Sequence, residues 1–326
     1  MIEPFSSGGA LVALWRGAFG SSFAFFSGTL LRATPLLFLG LAVALAFRAG
    51  VLNIGAEGQF LAGAAAATAV ALGGHSLPRG VVVAVMLVAG GLAGASWAGI
   101  AAVLRRQFGV LEVISTLMLN FVALHFVSWL VRGPLQEPTG VYPQTLTFAP
   151  AARWPLLLPG QRLHLGFLLA LAMAAIMWWF FRFTAAGFRV RVVGVSPRAA
   201  ASAGLIRADL TTFRVFVTSG GMAGVAGAAE VGGATWALYE GLSPGYGYTA
   251  IAVALLARLD ARGVVASAIL FGALQAGAAA MQRDAGVPSV VVSIIVAMVI
   301  FGVLVGGRIR EIAAGRVAIS VAGSSP

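Results

Sequence analysis

Four polar side chains able to bond a solute, or one another, crowd into one short stretch. They are Arg48, Asn53, Glu57 and Gln59, in F-R-A-G-V-L-N-I-G-A-E-G-Q (47–59), interleaved with Gly50, Gly55 and Gly58. The stretch interrupts two apolar runs, Pro35–Phe47 and Phe60–Leu72. A carboxylate beside hydrocarbon needs a partner or water. Backbone at membrane depth must satisfy its own polar groups unless it lines a cavity or is buried in protein. Glycines here permit a broken or re-entrant helix whose polar groups line a path. The stretch also reads as a short cytoplasmic turn, with Glu57 at a helix start where its charge suits the dipole. The residues alone leave both readings open.

Other polar groups sit inside apolar runs. Asn120, in S-T-L-M-L-N-F-V-A-L, either faces a path or bonds a neighbouring helix. Glu230 lies in S-G-G-M-A-G-V-A-G-A-A-E-V-G-G, whose glycines permit close helix packing; it answers an arginine or stands near the outer mouth. Tyr246 and Tyr248, with Tyr239 and Glu240 before them, suit stacking on a base or sugar, and equally an interfacial belt. Asn53, Glu57, Gln59, Asn120, Glu230, Tyr246 and Tyr248 are thus the candidates for a translocation path.

Enzymatic readings find little support. His75, His125 and His164 are isolated and form no metal cluster, so neither a metal nor a cofactor is expected. The G-x-S-G serine motif of a rhomboid-type protease is absent. Asp209, Asp260 and Asp284 are expected in loops, whereas an intramembrane aspartyl protease needs two aspartates within spans.

The elements that must position these groups are membrane helices. Of 326 residues, 60% are hydrophobic and only 10% charged, with a mean hydropathy of +0.97; soluble domains carry about a quarter charged residues. The net charge of +11 is loop arginine rather than a sign of nucleic acid. The chain has no cysteine, which excludes disulfides and thiolate metal sites. All 21 basic residues are arginine. A phosphate-cradling P-loop needs a lysine, so an ATP-driven role requires a separate subunit. Met1–Ser22 lacks a positive region before an apolar one, and no cleavable signal peptide is expected.

Runs of about 20 apolar residues give nine expected spans: 23–47, 56–74, 81–104, 110–131, 163–183, 214–234, 247–259, 263–282 and 287–306, the seventh short. The fold class is all-α: one polytopic transmembrane domain, 1–326. Arginine sets its orientation. With the first span starting outside, the cytoplasmic side receives Arg48, Arg105, Arg106, Arg182, Arg189, Arg191, Arg198, Arg207, Arg214, Arg258, Arg262, Arg308, Arg310 and Arg316. The other side receives Arg16, Arg79, Arg132, Arg153, Arg162 and Arg283, with Arg32 inside a span. This puts the C-terminus in the cytoplasm and the N-terminus outside.

Two long loops remain. Residues 132–162 carry Pro134, Pro138, Pro143, Pro155 and Pro159 and should form an ordered external cap. Residues 184–213 are cytoplasmic and include A-A-G-F-R-V-R-V-V-G-V-S-P-R-A-A-A-S-A-G. Ser196 as N-cap and Pro197 at the first helical position predict a short helix ending at Gly204. Without a partner, such a loop would simply lie on anionic lipid.

The stretch F-R-A-G-V-L-N-I-G-A-E-G-Q resembles the signature of permease subunits of bacterial ABC importers for nucleosides and simple sugars, within the wider branched-chain amino-acid and ribose permease family. The runs around Asn120 and Glu230 and the 184–213 loop extend the resemblance over nearly the whole chain. It implies a permease of the inner (cytoplasmic) membrane working by alternating access. It also implies a second, related permease, ABC ATPase subunits and an external substrate-binding lipoprotein, with a nucleoside as first-choice substrate and a simple sugar as second. On the same resemblance the 184–213 loop holds the coupling helix that enters a cleft on the ATPase, with Arg189, Arg191, Gly194, Ser196, Pro197, Arg198, Ala200, Ala201 and Gly204 as its residues. Permeases of this family usually begin with one more helix, before a segment like G-A-F-G-S (17–21).

Position supports an inverted repeat as well. L-N-I-G-A-E-G-Q-F-L-A-G-A (52–64) overlays L-S-P-G-Y-G-Y-T-A-I-A-V-A (242–254), pairing Leu52 with Leu242 and Gly55 with Gly245 on opposite membrane faces. Inverted repeats and buried acids also occur in ion-coupled secondary transporters, which is the competing reading. A secondary transporter has no need of a docking helix.

Overall fold

A computed structural model describes residues 7–74, 78–202 and 207–284, with isolated positions from 286 to 306. The span expected at 287–306 therefore falls almost wholly outside the described residues, as do His75 and Gly204. Among the described residues eleven α-helices follow in order: α1 Ser7–Phe19, α2 Leu31–Arg48, α3 Ala56–Gly73, α4 Arg79–Phe108, α5 Glu112–Arg132, α6 Gly166–Phe183, α7 Ala185–Val195, α8 Pro197–Ser202, α9 Ala208–Ala229, α10 Tyr246–Leu256 and α11 Ala261–Asp284. Six helices among the described residues are long and apolar enough to cross a membrane: 24–48, 79–108, 112–132, 166–183, 208–235 and 261–284.

Several expected borders move. The span expected at 163–183 begins at Gly166, and the one expected from 214 begins at Ala208 with Asp209 in its first turn. Asp284 closes α11 rather than lying in a loop. The span expected at 247–259 is the short helix α10 of 11 residues, and α1 was not among the expected spans. Apolar-run counting misses α1 because 13 residues is well short of a span. It is held by close packing on α11, where the Cα of Gly277 lies beside Gly17.

Small residues determine the centre. α3, α4 and α9 cross with backbones almost touching. The Cα of Gly224 faces both Gly63 and Gly94, and the carbonyls of Gly90 and Gly220 fill the space any side chain would need. Apolar side chains offer little net drive for association in lipid, so this contact relies on dispersion between backbones. Pro35 lies within α2 and has no N–H to give. One turn earlier the helix widens into a π segment, Ala24–Leu30. Thr29 and Thr34 there donate to the carbonyls of Ala18 and Leu30.

The 132–162 loop is ordered and sewn to the segment after α9. Thr145 N donates to Leu238 O at 2.8 Å, Phe148 N to Trp236 O at 2.7 Å and Trp154 N to Gly232 O at 2.9 Å. Phe148 and Trp154 are buried beneath it.

Candidate functional site

Helix α2 ends at Arg48, where Gly50 takes φ +73° and Val51 N closes onto Ala46 O at 3.0 Å. The chain then doubles back into the protein instead of leaving it. By Asn53 it stands beside Ser219, whose hydroxyl donates to Ala42 O at 2.7 Å. Ala42 is six residues before Arg48, about 9 Å along the helix. The stretch is therefore re-entrant, not a surface turn, and α3 starts at Ala56 inside the helical bundle.

Its polar groups satisfy one another. Asn53 Nδ2 donates to Gln59 Oε1 and to Ser219 Oγ, both at 3.0 Å, and Gln59 Nε2 donates back to Asn53 Oδ1 at 2.9 Å. Asn53 Oδ1 also accepts from Gly55 N at 3.0 Å. Asn120, reaching over from α5, accepts from Gly58 N at 2.8 Å and donates to Ile54 O at 2.9 Å. It thereby caps one of the free N–H groups of α3. All three amide side chains are buried and face the interior of this chain.

Glu57 has a partner that sequence spacing could not supply. Its Oε2 accepts from Gly247 N, in the first turn of α10, at 2.6 Å. Ser243, in the turn just before α10, accepts at its hydroxyl oxygen from Tyr246 N at 3.0 Å. The N-termini of α3 and α10 thus meet, with no room at Gly247 for a side chain against Glu57. Two positive dipole ends converge on one carboxyl group. Gly245, at φ +89°, makes the turn that aims α10 this way.

The aromatic candidates separate. Tyr246 is buried and packs edge-on against Phe60 with centroids 6.0 Å apart, while Tyr248 is exposed and its hydroxyl accepts from Asn120 at 3.3 Å. Glu230 is buried where α9 widens into the π segment Glu230–Thr235, with Arg32 and Arg162 as the cations nearest in effect. Those two arginines, with Arg16 and Arg283, line a hollow of about 410 Å³ that Asp284 also borders. In the segment before α10, Glu240 is held by Arg132 and by Ser128 Oγ at 2.7 Å. These bonds keep its carboxyl below the usual range, Arg132 contributing most. Ser219 and Ser128 escape sequence reasoning because a serine within an apolar run carries no pattern of its own, and Ser243 because a Ser-Pro pair marks a turn without naming the groups it meets.

In the 184–213 loop α8 begins where the Ser196–Pro197 pair predicts a helix, and α7, not expected from sequence, precedes it. Thr184 caps α7, accepting from Gly187 N at 2.9 Å, and α8 begins at Pro197. Arg189, Arg191, Pro197, Arg198 and Ala201 are exposed. Ala200 is not: it is fully buried against this chain, so bulk there would disturb the loop itself rather than a docking face. Gly194 packs on the carbonyl of Arg48. Arg48 in turn lies over the Phe181 ring at 4.6 Å and 3.8 Å from Asp260 in the α10–α11 turn.

The described residues thus form an apolar helical bundle with a re-entrant segment, two opposed helix starts and a helical loop at one end. The family described as branched-chain amino acid transport system / permease component matches residues 25–309, and the chain belongs to that family. It is similar to the glucose ABC transporter permease protein TsgB13 of Haloferax volcanii, 41% identical over 281 residues, 83% of this chain and 73% of the relative. It is also similar to the guanosine ABC transporter permease protein NupP of Bacillus subtilis, 37% identical over 318 residues, 95% of this chain and 89% of the relative. A third relative, the nucleoside ABC transporter permease protein NupB of Lactococcus lactis, is 31% identical over 286 residues, 85% and 78% of the two chains. No solved structure matches the chain. The protein is a multi-pass ABC transporter permease and not an enzyme; ATP hydrolysis belongs to a separate subunit. The family implies ATPase and substrate-binding partners, and the secondary-transporter reading is set aside.

Proposed function

We propose that this permease imports nucleosides, with simple sugars as the second substrate class, across the cytoplasmic membrane. Full-length similarity to the guanosine permease of Bacillus subtilis carries the substrate class. Two relatives from that organism, NupP and NupQ, bear the same guanosine name, which supports a second, related permease beside this one. An external substrate-binding lipoprotein would deliver the solute.

The path in this reading runs along an outer face of the chain. Asn53, Gln59 and Asn120 are occupied in holding the re-entrant segment. Tyr248 and the neighbouring α5 side chains Met118, Phe121 and Val122 are exposed, and they offer an aromatic and apolar wall that a second permease would close. The Glu57–Gly247 junction, where two half-repeats meet in opposite directions, is the element that alternating access would move. Residues 184–213 dock on the ATPase in the cytoplasm, and 132–162 lie outside.

Uptake by the complete transporter in proteoliposomes tests this. Labelled guanosine should be taken up with ATP inside, and competed by other nucleosides more than by glucose. Uptake of glucose unaffected by nucleosides would transfer the assignment to sugars. For orientation, a cysteine at Ala201 should label only from the cytoplasm and one at Thr139 only from outside.

A further inference from the structure

A groove of about 690 Å³ opens on the outside of the bundle between α6 and α9, floored by Phe38 of α2 and ending at α7. Its lining is almost wholly apolar, except at one end. There Arg189 of α7 and Arg214 of α9 border it, both exposed, and neither makes a side-chain hydrogen bond or ion pair among the described residues. Along α9 the lining runs from Arg214 to Val225, and along α6 from Leu169 to Phe180. Each stretch rises through eleven residue steps, about 16 Å, or half of a hydrocarbon core about 30 Å thick. Trp179 stands on its rim at the charged end, the depth where tryptophan settles in a bilayer.

A one-leaflet apolar trough ending at two guanidiniums is complementary in shape and charge to a single anionic phospholipid. We infer that this groove binds an anionic phospholipid, one acyl chain between α6 and α9 and the phosphate on Arg189 and Arg214. A guanidinium presents a planar fork that matches phosphate, and each such contact is strengthened by charge. The groove abuts the 184–213 loop through Arg189, Ala186 and Val190. A bound lipid would therefore brace the loop against the bundle, making Arg189 a lipid contact rather than a point on the ATPase surface.

The test uses the full chain, extracted with its accompanying subunits and washed exhaustively in detergent. Dipalmitoyl phosphatidylglycerol is then titrated back, beside phosphatidylcholine with the same chains. Wild type should bind phosphatidylglycerol at least tenfold more tightly than phosphatidylcholine. The double variant Arg189→Gln/Arg214→Gln should lose that preference. Ala172→Trp, an exposed position lining the groove, should weaken both lipids while leaving the arginines in place. Equal affinity for the two lipids in wild type would overturn the proposal. So would a double variant that binds like wild type, or glycerol phosphate competing as tightly as the whole lipid. Cross-linking of Ile176→Cys to a second permease would place protein, not lipid, in the groove.

Discussion

Gly194, one residue before the end of α7, rests on the backbone carbonyl of Arg48, where α2 gives way to the re-entrant segment. Its neighbour across the contact is Gly50, where a Cβ would stand 3.5 Å from the Gly194 Cα. The two glycines bring the loop proposed to meet the ATPase against the backbone of the break, with no side chain between them. Gly194→Val must push this contact apart. Uptake should fall at least tenfold while the ATPase still co-purifies, since the exposed face of the loop is unchanged. Normal uptake would show that force does not pass here.

Glu57→Ala leaves Gly247 N–H without its acceptor in a buried place, a cost of about 1–3 kcal/mol, and loosens the junction of α3 with α10. The complex should assemble and transport should drop roughly tenfold. Glu57→Gln keeps an acceptor oxygen and should retain more activity than alanine. Parity of the two variants would mean that charge, not the hydrogen bond, holds the junction.

The docking face is probed at Ala201, which is exposed, and not at Ala200, which is buried. Ala201→Trp should reduce ATPase co-purification with the permease still folded. Ala200→Trp should lower the unfolding temperature of the permease alone. If Ala201→Trp leaves both ATPase recovery and uptake intact, docking lies elsewhere on the loop.

Gly94→Leu puts a side chain where α9 backbone already lies, at Gly220 and Gly224. The loss should be about 3 kcal/mol or more, read as a shifted unfolding midpoint in detergent. Gly99 on the same helix has open space before it, so Gly99→Ala should be nearly neutral.

His164 lies between the 132–162 cap and α6, buried, with Nδ1 accepting from Gly166 N at 3.1 Å. Burial lowers its pKa from 6.5 to about 4. Above about 6.5 both states are neutral. Between 6.5 and 4 the unfolded cap takes a proton that the folded one refuses, so stability falls as pH falls, by about 2 kcal/mol at pH 5. The unfolding midpoint of wild type should drop between pH 7.5 and 5. His164→Asn keeps an acceptor without the titration, and should flatten most of that dependence.

The sequence alone determined that this is an all-helical membrane chain, because 60% hydrophobic residues in long runs leave backbone no other way to satisfy itself in lipid. It also determined where the helix break lies and that a helix starts at Pro197, since glycine clusters and a Ser-Pro pair act locally. Leu52 and Leu242 were matched by position, and α3 and α10 do begin at the paired sites, after Gly55 and Gly245. What each polar group does was decided by tertiary structure. Glu57 and Gly247 are 190 residues apart, and Asn53 and Ser219 are 166 apart; no local pattern encodes such a pair. A buried donor or acceptor must find whichever partner the packing brings. That packing follows from backbone contact at Gly63, Gly94 and Gly224, which hydropathy does not register. The same holds for Ala200 and Ala201, adjacent and identical in sequence: one faces the chain and the other faces out, because the turn of α8 against α7 and α9 puts only one of them inside.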